Sequence, residues 1–302
     1  MAKLLDIPKP HLDARLFGAR CIPALTDDAL AQATGVRIAF TGRAGGVSAP
    51  PYDGLNLAGH VGDDPAAVRE NRAILLEALG VPGAHLATLS QVHGTEGVRY
   101  DGSDASQLAV QDERARAGAD YAVVDVSDVA ALLCFADCAS LIIVSPSGRF
   151  AVAHAGWRGA VAHIAAKAAD RLARADAEQD GSAEPSRFNA YIGPHIHAEC
   201  FECGPEVVER FRREFGQAAI ADERHVDLRA ALRADLRKAG LAHDRIVDSG
   251  ICTMCHPQRY YSYRASGGVC GRHGAVAVRV AAGEGRSHII DEAGRDRPAE
   301  GQ

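Results

Sequence analysis

Short apolar runs, bounded by small or polar residues, predict the strands of this chain. The clearest early run, VRIAFT at residues 36–41, leads directly into a loop crowded with glycine and proline. Three more runs follow in the middle of the chain, each short enough for a buried strand. The predicted strands cover residues 36–41, 129–135, 141–144, 150–153, 188–192, 260–263 and 275–280.

Apolar residues that recur at helical spacing predict four helices. The first has Asp64 as its N-cap and Pro65 in its first turn, and it stops at Gly80, a typical C-terminal signal. A later helix begins in the same way, at the cap Asp227. The predicted helices cover residues 64–80, 161–172, 208–215 and 227–240.

The order of these elements predicts a single-domain α+β fold. Strands and helices mix without strict alternation, which disfavours a doubly wound parallel sheet. Residues 102–118 are polar and weakly periodic, so we expect a surface excursion there rather than a domain linker. We expect an N-terminal extension over residues 1–35, a catalytic domain over residues 36–281 and a flexible tail over residues 282–302.

Composition and charge exclude several classes of protein. Apolar residues make up 47% of the chain and charged residues 24%, as in ordinary globular proteins. The formal charge is -6 and the basic residues are scattered, so we expect no nucleic-acid partner. The sequence shows neither a signal-peptide core nor eighteen uninterrupted apolar residues, and we expect a cytoplasmic protein without a membrane segment. Its eight cysteines are then reduced, and are metal ligands, nucleophiles or buried thiols.

Three residues with metal-binding side chains lie where strands give way to loops. His93 stands in SQVHG, Cys138 in FADCAS and His154 in AVAHAGWRG. Strand ends at one sheet margin can converge, and a thiolate with two imidazoles suits zinc, with copper as a competitor. Three protein ligands leave a coordination position open, as in catalytic sites. The alternative is two hydrogen-bonded histidines and a buried, inert thiol.

The motifs around these residues resemble those of the YfiH-like family. QVHG, ADC and HAGWRG occur in the family's order, and TGRAGGVS, LNLAGHVGDD, IGPHIHAECFECG, YSYR and CGR extend the match over residues 40–280. The resemblance implies that His93, Cys138 and His154 are zinc ligands. It also implies a fold of mixed β-sheets sandwiched with helices. The chain departs from the family pattern at Ser140, usually proline, and at residues 201–204, where FECG replaces YEVG.

Members of this family bear three names, and each implies a function. As a purine nucleoside phosphorylase, the protein would use phosphate to split inosine, adenosine, guanosine or methylthioadenosine into the base and a ribose 1-phosphate. Adenosine deamination is attributed to similar proteins. The other names imply a copper-dependent polyphenol oxidase and a peptidoglycan-precursor editing amidase, with Cys138 as its nucleophile. We expect a monomer or homodimer.

Polar residues inside the family motifs are the further candidates for the active site. A carboxylate would move a proton during catalysis, and an arginine fork with flexible glycine backbone would hold phosphate. The plain alternatives are surface charges, structural clamps and loop caps. The catalytic candidates are Asp137, Glu202 and Arg158, and the substrate- or phosphate-binding candidates are Arg43, Gly45, Gly46, Asn56, His60 and Arg264.

Two C-x-x-C pairs, Cys200 with Cys203 and Cys252 with Cys255, form a separate feature. The second pair precedes His256 and spells a c-type haem attachment motif, which we discount because no export signal is present. A four-thiolate zinc site usually has a much shorter gap between its pairs. We therefore expect packed thiols and no second zinc ion.

Overall fold

The computed structural model of this protein describes residues 6–280 and the backbone of Ile289–Ile290. Its strands form two mixed sheets. The strands are β1 (Asp13–Phe17), β2 (Ile22–Thr26), β3 (Val36–Thr41), β4 (His85–Thr88), β5 (Gly97–Tyr100), β6 (Tyr121–Val124), β7 (Val129–Phe135), β8 (Ala139–Val144), β9 (Phe150–Ala155), β10 (Asn189–Ile192), β11 (Ile246–Asp248), β12 (His273–Arg279) and β13 (Ile289–Ile290). The first sheet has the order β13-β1-β2-β3-β12-β7-β4, and the second has the order β11-β10-β8-β9-β6-β5.

Seven α-helices lie in the described part of the chain. They are α1 (Asp28–Thr34), α2 (Pro65–Ala78), α3 (Ala105–Ala117), α4 (Trp157–Val161), α5 (Ile164–Asp180), α6 (Pro205–Phe215) and α7 (Leu228–Lys238). Among residues 6–280, no helix combines the length and the hydropathy that a membrane crossing requires. With two mixed sheets and these helices, the predicted α+β fold class is confirmed.

The two sheets pack face to face, and helices cover their outer faces. Phe135 of the first sheet and Phe150 of the second share the central core. Leu132, three residues earlier on β7, points the other way and packs in a cluster with Leu75 of α2. On the far side, Leu141 of β8 packs in a cluster with α5, α6 and α7. Because both faces of each sheet are buried, the central strands are continuously apolar.

One local prediction was wrong, and a second region contains a helix that was not predicted. Residues 260–263 form a bend and a loop that leads into a turn, rather than a strand. Tyr261 is buried, and its hydroxyl hydrogen bond is shared between the backbone oxygens of Tyr52 and Asp53, at 2.9 and 2.8 Å. Residues 102–118 are mostly exposed, as the predicted surface excursion requires, but they contain the unpredicted helix α3, which starts at a capping box formed by Asp104 and Gln107. Its apolar face is narrow, which explains the weak periodicity of the sequence.

The ends of the chain bear on the predicted domain limits. Residues 13–34, inside the predicted N-terminal extension, form β1, β2 and α1, and the two strands lengthen the first sheet. The predicted tail at residues 282–302 lies outside the described residues, apart from β13, which pairs with β1. The domain limits stay a prediction.

Candidate metal centre and active site

His93, Cys138 and His154 come together at one margin of the sandwich. His93 lies in the loop between β4 and β5, Cys138 in the turn between β7 and β8, and His154 on β9. One ligand atom from each lies within 4.8 Å of the others. The Cys138 sulfur is 3.8 Å from His93 Nε2, and the two imidazole centroids are 4.7 Å apart. The three side chains thus surround a space that fits one metal ion.

The backbone around the ligands explains why these short segments can bring them together. β8 and β9 pair in antiparallel register, with Ser140 opposite His154, so the turn carrying Cys138 begins beside the histidine. His93 has a left-handed backbone, with a φ of 60°. A Cβ at Gly156 would lie 2.8 Å from His93 Cδ2 and 3.2 Å from the Cys138 sulfur. Only glycine leaves that space free for the ligands.

Asp120, which the sequence analysis missed, holds two of the three ligands. It is fully buried, and its Oδ1 is 2.8 Å from His154 Nδ1. The same carboxylate accepts the backbone N–H groups of His93 at 2.9 Å and Gly94 at 2.6 Å. With Nδ1 occupied in this way, Nε2 of His154 is left for a metal. The available signal was an acidic residue directly before the buried strand β6.

The electrostatics of the cluster favour a charged pair when no metal is bound. Burial raises the pKa of the Cys138 thiol, but His154 and His93 outweigh it and lower the pKa to about 6. Burial lowers the pKa of His154, but Cys138 and Asp120 raise it to about 9. Burial likewise raises the pKa of Asp120, and the hydrogen bonds from His154 and Gly94 bring it below its usual value.

This donor set fits a zinc or copper ion. A thiolate and two imidazoles are preferred ligands of both metals. A cation between Cys138 and His154 would replace the proton that otherwise neutralises the thiolate. The carboxylate–histidine contact at Asp120 is the usual outer support of a ligating histidine.

A group of positive side chains lies near the metal ligands. The imidazole of His60 has a lowered pKa, first because of burial and then because of the charges of Arg272, Arg72, His154 and His93. Arg72 and Arg272 therefore lie close enough to His60 to act on the same imidazole as the candidate ligands His93 and His154. His60 was predicted to bind substrate, whereas Arg72 was missed, because a single arginine within a helical pattern reads as a solvated surface charge.

Hydrogen bonds join the segments that carry these positive groups. Arg72 Nε donates to the Leu57 oxygen at 2.9 Å, and the Leu57 N–H donates to the Arg272 oxygen at 3.0 Å. The buried Asn56 accepts the Arg272 N–H at 2.9 Å and donates to Asp63 at 2.8 Å. Asn56, which was predicted to bind substrate, therefore makes hydrogen bonds that hold the segments of this loop together.

The glycine loop with Arg43 is tightly packed. The Arg43 guanidinium donates to Asp53 and to the Pro257 oxygen, both at 2.8 Å, and lies 4.5 Å from the Tyr261 ring centroid. A Cβ at Gly46 would lie 2.3 Å from the Gly54 oxygen, so the backbone approaches too closely for any side chain. Gly45 has a positive φ of 95°, which favours glycine.

The predicted catalytic carboxylates make their contacts within neighbouring loops. Asp137 is buried and accepts the Thr253 hydroxyl and the Arg264 backbone N–H, each at 2.7 Å. Glu202 forms an ion pair with Arg224 on the surface. The catalytic roles of Asp137 and Glu202 stay predictions.

The two remaining predicted arginines have aromatic neighbours. Arg158 is exposed on α4, and its guanidinium lies 4.4 Å from the centroid of the adjacent Trp157 ring. Arg264 donates to the Glu202 backbone oxygen at 3.0 Å and lies over Phe201. Their roles in catalysis or substrate binding stay predictions.

Known proteins resemble this chain in sequence and in fold. The family model described as multi-copper polyphenol oxidoreductase laccase matches residues 37–280. A purine nucleoside phosphorylase of Deinococcus radiodurans is 36% identical over 242 residues, which cover 79% of this chain and 87% of that protein. Adenosine deaminase RL5, from an unknown prokaryotic organism, is 35% identical over 229 residues, which cover 73% and 85%.

A solved structure shares the fold described above. The crystal structure of YfiH from Bacillus licheniformis matches with a TM-score of 0.75 at 25% sequence identity, covering 88% of this chain and 98% of that one. The family match contains His93, Cys138 and His154 and spans both sheets. The resemblance seen in the sequence is thereby confirmed, and the chain belongs to the YfiH family, whose model is described as multi-copper polyphenol oxidoreductase laccase.

Proposed function

We propose that this protein is a zinc-dependent purine nucleoside phosphorylase with a secondary adenosine deaminase activity. The observation that supports it best is the open three-ligand cluster together with His60, whose imidazole feels the charges of Arg72 and Arg272 as well as those of the candidate ligands. The relatives at 35–36% identity that are named purine nucleoside phosphorylase and adenosine deaminase support the same reaction classes. The substrates would be inosine, adenosine, guanosine or methylthioadenosine, together with phosphate.

In this proposal, His93, Cys138 and His154 hold the zinc ion and Asp120 orients His154. When bound, zinc supplies a Lewis acid beside the substrate. The thiolate and the neutral imidazoles are the forms that bind a metal, and the contact with Asp120 keeps the proton of His154 on Nδ1. The three ligands come from separate strand ends, so the metal also ties those ends together.

Arg72 and Arg272 supply the charge that phosphate binding needs. Their planar guanidinium groups donate paired hydrogen bonds that match phosphate oxygens. In phosphorolysis, a phosphate oxygen forms a bond to C1′ of the ribose, the C1′–N bond breaks, and the base leaves with that electron pair and takes up a proton. His60 lies among these groups, and its lowered pKa keeps it neutral, as a hydrogen-bonding group for the substrate should be.

Arg43 and the Gly45–Gly46 backbone remain a second candidate for the phosphate site. The case for the arginine pair is stronger because the Arg43 charge is paired with Asp53 and both of its Nη atoms donate within the protein. Among the described residues, Arg72 donates through Nε and Arg272 through Nη1. We propose a positioning role for Asp137, through its bonds to Thr253 and Arg264.

Adenosine deamination uses the same open site. A metal held by His93, Cys138 and His154 with a free coordination position would supply activated water for attack at C6 of adenine, with ammonia as the leaving group. The relative RL5 is named adenosine deaminase. The oxidase in the family description would instead need copper at the same ligands. The editing amidase would use Cys138 as a nucleophile without metal.

The test is product analysis with purified, zinc-loaded protein. Inosine and adenosine are incubated with and without phosphate, and the bases and nucleosides are separated by chromatography. We expect hypoxanthine from inosine only when phosphate is present, and no product with His154→Ala. His85→Ala is the matched control, because His85 forms a hydrogen bond with Asp112, at 3.1 Å, and is not among the clustered ligands, so it should leave turnover unchanged.

Each alternative function predicts a different experimental result. No turnover of either nucleoside by protein with zinc bound would overturn the proposal. Phenol oxidation by copper-loaded but not zinc-loaded protein would favour the oxidase. Amidase activity that persists after thorough chelation would favour the Cys138 nucleophile.

A further inference from the structure

Three thiols gather at a second place in the molecule, away from His93, Cys138 and His154. Cys200 lies in the loop before α6, and Cys252 and Cys255 lie in the loop after β11. Their sulfur atoms lie within 4.8 Å of one another, and those of Cys200 and Cys255 are 3.4 Å apart. Cys203 is not in this group; its thiol donates to the Phe201 oxygen at 3.6 Å. The fold therefore groups Cys200 with Cys252 and Cys255, and not with Cys203, its partner in the C-x-x-C spacing.

The backbone holds the two loops in fixed register. His195 and Cys252 form a parallel bridge, with the His195 N–H donating to the Ile251 oxygen at 3.2 Å and the Thr253 N–H donating to the His195 oxygen at 3.0 Å. The His197 N–H points to the Cys252 sulfur at 3.4 Å. Residues 55 positions apart in sequence are thus brought together by main-chain bonds, independently of any bond between the sulfurs.

We propose that Cys200, Cys252 and Cys255 bind a second metal ion, of the thiophilic class that includes Zn²⁺ and Cu⁺. Thiolates are the ligands that both ions prefer. A tetrahedral zinc ion with Zn–S bonds of about 2.3 Å places its sulfurs about 3.8 Å apart. The three sulfurs lie within 4.8 Å of one another, and the Cys200–Cys255 separation of 3.4 Å is close to that spacing.

A fourth ligand is available beside the thiols. In the described part of the chain, Nε2 of His197 is buried and has no hydrogen-bond partner, an arrangement that is costly unless something else satisfies the nitrogen. The His197 backbone already contacts Cys252. His197 is thus the candidate fourth ligand, and with the three thiols it would give a Cys₃His set, which is common for structural zinc.

The role of this second ion follows from the hydrogen bonds that the two loops make with Asp137. The Thr253 hydroxyl donates to Asp137 at 2.7 Å, and the Ile196 N–H donates to the Asp137 oxygen at 2.9 Å. Asp137 directly precedes Cys138 in sequence. Clamping the two loops therefore fixes the turn that presents Cys138, so the second ion is a structural support for the first centre.

Elemental analysis of the purified, reduced protein tests the proposal. We expect two metal ions per chain in the unmodified protein and one in Cys255→Ser, which changes an exposed residue and should fold normally. Cys138→Ser should also retain one ion, at the other site. Cys203→Ser is the matched control and should retain two, because its thiol lies outside the group.

Spectroscopy separates this site from the first centre. Cobalt added to Cys138→Ser should give a thiolate-to-cobalt absorption band, and the band should vanish when Cys200→Ser and Cys255→Ser are added. Parallel loading with Zn²⁺ and with Cu⁺ identifies the preferred ion. Because both readouts concern metal binding and not nucleoside turnover, they are independent of the proposed catalytic function.

Three results would overturn the second site. One is a single ion per chain in the unmodified protein, with the cobalt band absent in Cys138→Ser. Another is the loss of an ion on Cys203→Ser, which would place the metal elsewhere. The third is a covalent Cys200–Cys255 bond, seen by mass spectrometry as a loss of two hydrogens in protein kept under reductant.

Discussion

Asp120 joins two of the three candidate metal ligands through one carboxylate, with its Oδ1 2.8 Å from His154 Nδ1 and 2.9 Å from the His93 backbone nitrogen. The first contact orients an imidazole, and the second fixes a loop whose backbone is left-handed at His93. Because the carboxylate is fully buried, both contacts are shielded from competing water. Asp120 therefore positions the centre without being a ligand.

Replacing Asp120 should weaken metal binding more than it weakens folding. We expect Asp120→Asn to lower zinc affinity roughly 10- to 100-fold, as loss of an outer-shell partner typically does. Chelator competition measures the affinity, and urea unfolding of the metal-free proteins measures stability. Asp112→Asn, which disrupts the similar His85–Asp112 pair, is the control and should leave affinity unchanged. Equal affinities in the two variants would contradict the positioning role.

The space at Gly156 offers an independent test of the centre. Gly156 has a φ of -72°, which alanine can adopt, but an added Cβ would lie 2.8 Å from His93 Cδ2. We therefore expect Gly156→Ala to displace the imidazole and reduce zinc binding at least 10-fold by titration. Gly83→Ala is the control, since a Cβ there meets nothing within 4 Å. Full zinc binding by Gly156→Ala would show that the His93 loop moves freely.

The elements that the sequence predicted well are those with one dominant local signal. The helix predicted from Asp64 is observed as α2, with Asp64 as its N-cap. The run at residues 129–135 is observed as β7, because a strand buried on both faces is apolar throughout. Helix α3 was missed because its cap, and not its apolar face, is its main signal.

The site was predictable only where a motif pointed to it. The family motifs identified His93, Cys138 and His154, but Asp120 acts through contacts made across 34 residues of sequence, which no local pattern reveals. Cys200 and Cys255 meet across 55 residues for the same reason. Pairing of distant segments is a property of the sheet register, which the sequence patterns left undetermined.

Substitutions of Arg272 and Arg43 distinguish the two candidate phosphate sites. We expect Arg272→Gln to raise the KM for phosphate roughly 10- to 100-fold, the loss of one or two hydrogen bonds to a charged group. Arg43→Gln is the matched comparison. Loss of the Arg43–Asp53 ion pair should destabilise the loop around Asp53 but change the KM for phosphate little. Steady-state kinetics at varied phosphate with saturating inosine measures both. The reverse pattern would return phosphate binding to the glycine loop.

Buried His273 should make the fold sensitive to mild acid. Its ring lies between Phe135 and Tyr260, and both ring nitrogens lack a hydrogen-bond partner in the described part of the chain. Burial and then the charge of Arg272 lower its pKa to about 3, so the folded protein keeps it neutral while the unfolded chain takes up a proton near pH 6.5. The stability from this residue is thus complete above about pH 6.5 and is lost as the pH falls toward 3.

The matching variant is His273→Phe, which fills the same aromatic site without a titrating group. Between pH 6.5 and 4, the free energy of unfolding of the unmodified protein should fall faster than that of the variant, by up to about 1.4 kcal/mol per pH unit. Urea unfolding at several pH values measures the difference. His11→Phe, at an exposed histidine, is the control and should follow the unmodified protein. Parallel curves for His273→Phe and the unmodified protein would mean that His273 accepts its proton in the folded state, through a partner that satisfies its ring.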